Sequence, residues 1–298
     1  MFHLLSTAAG VVLLALTLWQ IFADLFHPTA QGALSDWIAR GLWRLGKHNE
    51  LLLSAAGPLA FILVVLSWIS LVVLGFALIY WPAFPGAFRF TGPPEHGFLS
   101  AAYFSMEVLT TLGLGEITPV PNWLRFTVTA ESMIGLGVVT ACVSWTVLLY
   151  PALSRMRVLA RETIILADAA ESTRMPAVGD TSEYLLTHLT EKVVQTRVDL
   201  IYFPIIYYFH AAHRQSSLAQ ALPIIARICD EASAADRPER LRFAAKMLDR
   251  SLDDLASVLG KRFLAKHRTS TDAVIQAFAE DQQIETDGRG QALTRNTS

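Results

Sequence analysis

The run Thr110-Thr111-Leu112-Gly113-Leu114-Gly115-Glu116 holds the residues whose types and spacing suggest chemistry. Glycines at alternate positions admit backbone conformations closed to other residues. Consecutive carbonyl groups can then turn toward one axis, with a threonine hydroxyl below them. A stack of such oxygens replaces the water around a dehydrating cation. Competing chemistries are weaker. His210 and His213 lie three apart but have no evident third ligand, and zinc needs three or four. Cys142 and Cys229 fall in different halves of the chain, which excludes a disulfide framework and a CxxC site. No glycine-rich phosphate loop and no paired nucleophile and base stand out, so the expectation is a protein that is not an enzyme and needs no cofactor.

Irregular backbone of this kind needs elements to hold it, and the composition says where they lie. The chain has 298 residues, 53% hydrophobic and 17% charged, against about a quarter charged in soluble domains. The first 151 residues carry five Lys/Arg and seven Asp/Glu, and the last 147 carry nineteen of each. An integral membrane half is therefore followed by a helical, soluble half. A net charge of −2 without a basic face argues against nucleic acid as a partner. Met1–Ala23 is uncharged and long enough to span. It lacks a basic n-region and a small-residue cleavage site, so it reads as a retained helix. A second span has its core at about Leu59–Tyr80, with Tyr80 and Trp81 in an interface belt and Pro82 and Pro85 ending the helix. A third runs from Ser132 to Ser154 and ends at Tyr150-Pro151.

Between the second and third spans, Gly97–Met106 is too short to cross and leads straight into the Thr-Gly run. Non-helical backbone at membrane depth survives only where protein buries it or water lines it, which points to a re-entrant segment. Arg40, Arg44 and Lys47 lie in the first loop, and Arg155, Arg157 and Arg161 follow the third span. The positive-inside rule then puts the N-terminus outside and the soluble half in the cytoplasm of a multi-pass cell-membrane protein. Trp37, Ile38, Trp43 and Leu45 alternate with the first-loop cations, which suggests a short interfacial helix on membrane lipid. Asp24, which closes the first span, is expected to be solvated.

The segment Thr110–Pro119 (TTLGLGEITP) resembles the TTVGYGDxxP signature of potassium channel pore domains. The likeness covers roughly Gly97–Pro151. Glu107 stands four residues before Thr111, where many pore helices of the family carry a glutamate. Tyr103 and Phe104 fill the positions of the usual aromatic pair, and Pro119, Trp123 and Arg125 fall at the spacing of simple bacterial two-helix channels. The resemblance implies that the carbonyls of Thr111, Leu112, Gly113 and Leu114 coordinate K+, the permeant ion. Thr110, Gly115, Glu116, Tyr103, Phe104, Glu107 and Glu131 would then support the filter. Leu114 replaces the customary tyrosine and Glu116 the customary aspartate. Some eukaryotic two-pore-domain channels are similar in having a Gly-Leu-Gly filter. The leucine side chain is expected to point away from the ion and pack against the pore helix, and Glu107 and Glu116 are expected to share one proton.

The resemblance also implies a homotetramer, because one chain holds one copy of the filter. Gly135, twenty residues beyond Gly115, matches the family's inner-helix hinge. Gly135 and Gly137 equally suit close helix packing. On a helix through Gly135, Val139, Val143 or Ser144, and Val147 share one face, which would line the cavity. No span carries arginines at every third position, so gating by a voltage-sensor helix is not expected.

The expected fold is an all-α membrane protein with three transmembrane helices, a re-entrant pore helix and filter, and a helical cytoplasmic domain. Its divisions are a peripheral helix and interfacial loop (1–50), a pore domain (51–154), a helical cytoplasmic domain (155–284) and a disordered tail (285–298). In the cytoplasmic half, Asp180-Thr-Ser-Glu183 would open a helix running toward His213, interrupted by Pro204. Asp236-Arg-Pro-Glu239 would cap another that reaches about Gly260, with Leu241, Ala244, Leu248, Leu252, Leu255 and Leu259 on its apolar face. This half has an unidentified ligand or partner. The functional expectation is a potassium-selective channel. The alternatives are a weakly selective monovalent cation channel and a non-conducting membrane-anchored signalling or scaffold protein.

Overall fold

Among the described residues, long apolar runs form three helices able, by length and composition, to cross a membrane: His3–Leu25, Ala55–Ala83 and Asn122–Thr173. The computed structural model describes residues 1–26, 33–47, 50–94, 96–179, 182–209, 217–264 and 270–282. His210, His213, Asp180 and the tail 285–298 lie outside them. In chain order the elements are α1 (Phe2–Phe26), α2 (Ala33–Gly46) and α3 (Glu50–Tyr80), then a 3₁₀ turn at Trp81–Ala83 and a short strand β1 (Phe88–Phe90). Next come α4 (Phe98–Leu109), β2 (Ile117–Pro119), α5 (Asn122–Thr173) and α6 (Glu183–Tyr202). A 3₁₀ turn at Pro204–Tyr208 leads to α7 (Leu218–Ala232), α8 (Glu239–Arg262) and α9 (Thr271–Asp281). Among the described residues the fold is all-α apart from the antiparallel β1–β2 ribbon, in which Arg89 faces Thr118. Two three-residue strands carry too little alternation to be read from sequence.

The chain divides into two units, Met1–Ile38 with Ala60–Leu148, and Ala39–Leu59 with Leu149–Ser298. In the first, α1 packs on α3: Ser6 Oγ donates to the carbonyl of Leu78 at 2.8 Å, and the backbones approach at Gly10 and Gly75. Val11, Val12, Leu16 and Trp19 of α1 are exposed, as a lipid-facing surface requires. Trp68 and Tyr80 are fully buried in the core of this unit. Tyr80 is therefore not an interface-belt residue. Its ring packs edge-on against Phe104 and its hydroxyl is consumed internally. Asp24 accepts a hydrogen bond from Ser35 at 2.5 Å, so it is partnered rather than merely solvated.

The second unit is a helical bundle. The apolar face of α8 foreseen from its periodicity is buried at all six positions, Leu241 to Leu259. Three boundaries differ from the sequence expectation. The third span continues through Pro151 as one helix to Thr173, with buried Leu149, Ala152 and Leu153 on either side of the proline. Packing there outweighs the one hydrogen bond that a helix-interior proline removes. α6 stops at Tyr202 instead of running on, because Pro204 has no N–H to extend the ladder. α8 opens with Pro238 as its N-cap and no side-chain cap hydrogen bond, so Asp236 does not form the capping pattern.

The first loop differs too. α2 forms, with Trp37 and Leu45 exposed, but Trp43 is buried. Its indole N–H donates to Asp281 at 3.0 Å, and its ring meets Tyr207 and Tyr208. Lys47 joins the same carboxylate at 2.6 Å, and Tyr207 donates to it at 2.5 Å. Arg155 grips buried Asp199 through two hydrogen bonds of 2.9 and 2.7 Å.

Candidate functional site

The Thr-Gly run begins where α4 unwinds. Thr110 N–H donates to Met106, Thr111 N–H to Val108 and Leu112 N–H to Glu107, all at 3.0 Å. Beyond these the backbone alternates. φ is +56° at Thr111, +60° at Gly113 and +76° at Gly115, while Leu112 and Leu114 between them stay negative. Alternating handedness of this kind is the local pattern that turns successive carbonyls to one side. Among the described residues, none donates a hydrogen bond to the carbonyls of Thr111, Leu112, Gly113 or Leu114. A β-branched residue at positive φ is a genuine outlier, so Thr111 holds backbone strain at this point. A Cβ on Gly113 would meet nothing within 4 Å, so the glycine is required for its φ and not for space.

Both ends of the segment are tied. Glu107 is buried, and its Oε1 accepts the N–H of Gly115 at 3.1 Å. At the far end the carbonyl of Glu116 accepts from Thr91, through its N–H at 3.0 Å and its hydroxyl at 3.1 Å. The β1–β2 ribbon continues from that anchor. Pro119 closes the ribbon, its carbonyl accepting from Arg125 Nε at 3.2 Å, while Trp123 is exposed.

Behind the run, α4 is held by two residues on other helices. Glu131 of α5 is 0% exposed. Tyr80 Oη donates to its Oε2 at 2.7 Å and Ser105 Oγ of α4 donates to its Oε1 at 2.5 Å. Tyr80 and Ser105 were not singled out from the sequence. A serine in an apolar run carries no signal of its partner, and Tyr80 had the look of a belt residue. Phe104 is buried among Tyr80, Phe84 and Phe88, at ring distances of 5.2 to 6.2 Å. Tyr103, its neighbour in the aromatic pair, is 37% exposed.

Two expectations about the run are corrected. Leu114, expected to pack against α4, is 53% exposed within the chain. Glu107 and Glu116 do not form a shared-proton pair. Glu107 Oε1 serves Gly115, its buried Oε2 has no hydrogen-bond partner among the described residues, and Glu116 is exposed.

Gly135 lies against the end of α4. A Cβ there would stand 2.3 Å from the carbonyl oxygen of Leu109, so this glycine lets α5 approach the C-terminal end of α4. Gly137 has open space around it. Further along α5, Val139, Val143 and Val147 are 56%, 59% and 65% exposed, and Ser144 shares that side, its hydroxyl donating to Thr140. α5 thus presents an unpartnered face where its sequence suggested a cavity lining.

A family model described as an ion channel matches residues 63–149, from mid-α3 through α4 and the Thr-Gly run into α5. This segment is similar to that family, and the match covers less than half of the chain. The matched segment contains every residue of the candidate site, including the Tyr80–Glu131–Ser105 network. The chain is also similar to an uncharacterised membrane protein of Bacillus subtilis (strain 168), YdjJ. The two are 27% identical over 227 residues, which cover 74% of this chain. The chain spans 65% of the length of that relative. No solved structure matches. The chain thus combines three helices long and apolar enough to cross a membrane with a segment that matches an ion channel family model.

Proposed function

We propose that four copies of the chain form a potassium-selective channel in which the carbonyls of Thr111, Leu112, Gly113 and Leu114 coordinate K+. The observation that carries this reading is the set of four consecutive carbonyls with no hydrogen-bond donor among the described residues, on a backbone of alternating φ. Carbonyls left in that state at membrane depth need a partner that replaces water, and a dehydrated cation is one. One chain supplies one strand of carbonyls, so a ring needs four. The exposed Leu114 and the exposed valine face of α5 are surfaces that neighbouring subunits and a central cavity would use.

The N-terminus lies outside and the C-terminal unit in the cytoplasm. The bonds from Trp43 and Lys47 to Asp281 support this reading, since three spans would put the first loop and the C-terminal helices on the same side. Basic residues concentrate on that side. Gating proceeds without a voltage-sensor helix.

Purified protein reconstituted in liposomes, with potassium and sodium flux compared under equal gradients, tests the reading. Potassium flux well above sodium flux is the expected result. Equal fluxes would favour a weakly selective cation channel, for which the exposed Leu114 speaks. Absence of both would favour a non-conducting scaffold.

A further inference from the structure

We propose that the C-terminal unit contains a binding site for a phosphate-bearing anion, in a cavity between α2, the 3₁₀ turn Pro204–Tyr208 and the ends of α8 and α9. The cavity measures about 570 Å³, within the 300–1,000 Å³ of small-molecule sites. Its wall carries five cations, Arg40, Arg44, Lys47, Lys261 and Arg262, against two carboxylates, Glu280 and Asp281. Lys47 pairs with Asp281 at 2.6 Å. Arg44 and Lys261 are exposed, and among the described residues neither forms an ion pair.

Arg40 hydrogen-bonds the hydroxyl of Tyr208, and Arg262 lies near enough to act on it through its charge. Burial pushes that phenol up to about 12, and the two guanidinium groups act in the opposite sense. Arg262 is itself drawn partly out of water, which lowers its proton affinity, and one of its nitrogens donates to the carbonyl of Ile201 at 3.2 Å. A guanidinium with a backbone anchor is oriented in advance for a bidentate oxyanion.

The remaining wall is aromatic. Tyr207 and Phe263 stack with centroids 4.2 Å apart and planes at 1°, and Trp43 and Tyr208 adjoin them. A ligand suited to this cavity pairs a phosphate with a planar or apolar body. A soluble nucleotide and a phospholipid headgroup both have that chemistry. The site stands whether or not the chain conducts ions.

The test uses the full chain in neutral detergent, titrated calorimetrically with ATP and, separately, with dihexanoyl phosphatidylglycerol. Dihexanoyl phosphatidylcholine is the zwitterionic control. Saturable binding of ATP alone identifies a soluble ligand class, and of phosphatidylglycerol alone a lipid headgroup. Binding of both identifies recognition of the phosphate itself. Arg44→Glu and Lys261→Glu should each weaken binding about tenfold or more, the equivalent of one charge-assisted hydrogen bond. Arg242→Glu, on the exposed face of α8, should leave it unchanged. Higher ionic strength should weaken binding by screening. Circular dichroism and the melting temperature of each variant confirm that it folds. Two results overturn the site: no saturable binding of either anionic probe, or affinities in correctly folded Arg44→Glu and Lys261→Glu that stay within about twofold of the parent.

Discussion

Glu107 on α4 accepts the backbone N–H of Gly115, eight residues along the chain, at 3.1 Å. That bond closes the loop between the helix end and the last glycine of the run, and it replaces the carboxyl–carboxylate pair expected with Glu116. A neutral amide can fill the same acceptor role. Glu107→Gln should therefore keep potassium flux close to the parent, while Glu107→Ala should shorten conducting episodes in single-channel records. Indistinguishable records from both variants and the parent would remove Glu107 from the support of the run.

Gly113 is required for its φ of +60°, with open space where a Cβ would be. Gly113→Ala should abolish potassium flux while the assembly and its helical content survive. D-alanine introduced at the same position by semisynthesis accommodates positive φ and should restore conduction. Failure of D-alanine to rescue would show that the added methyl group, and not the backbone conformation, is the obstacle.

Glu131 has two hydroxyl donors, from Tyr80 and Ser105, in a fully buried position. Tyr80→Phe leaves one carboxyl oxygen without its donor, at a cost of about 1–3 kcal/mol. A lower melting temperature of the purified assembly should follow, with flux affected through the position of α4. Glu131→Gln, which keeps an acceptor but alters the proton count, should be milder than Glu131→Ala. A Tyr80→Phe protein as stable as the parent would contradict the role assigned to this network.

Asp281 gathers Trp43, Lys47 and Tyr207 onto one carboxylate. Its side chain is 22% exposed, so the loss on Asp281→Ala should be about 1–3 kcal/mol, below the range for a fully buried ion pair. Urea unfolding followed by tryptophan fluorescence should report it, since Trp43 would lose its partner. An unchanged midpoint would mean that α2 is held by its ring contacts alone.

The topology makes a separate expectation. In a background lacking Cys142 and Cys229, Gly92→Cys should react with an impermeant maleimide from outside intact cells, and Leu45→Cys only after permeabilisation. The reverse labelling would overturn the orientation drawn from the basic residues.

Much of this protein was legible in its sequence because the relevant physics is local. Uncharged runs of more than twenty residues declare spans, and the repeat from Leu241 to Leu259 declares a buried helix face. Alternate glycines at 113 and 115 announce an unusual backbone, and the structure gives both positive φ. What sequence could not contain was the choice of partners. Tyr80 meets Glu131 across 51 residues of chain, and Trp43 meets Asp281 across 238. Nothing in the neighbourhood of either residue encodes the other. Gly135 suited a hinge or a close contact equally well until the carbonyl of Leu109 was found where its Cβ would be. The exposure of Leu114, 53% within the chain, was likewise beyond the reach of local sequence. Backbone conformation and burial periodicity are set residue by residue along the chain. Hydrogen-bond partners and close approaches are set by which helices pack, and only the tertiary structure decides that.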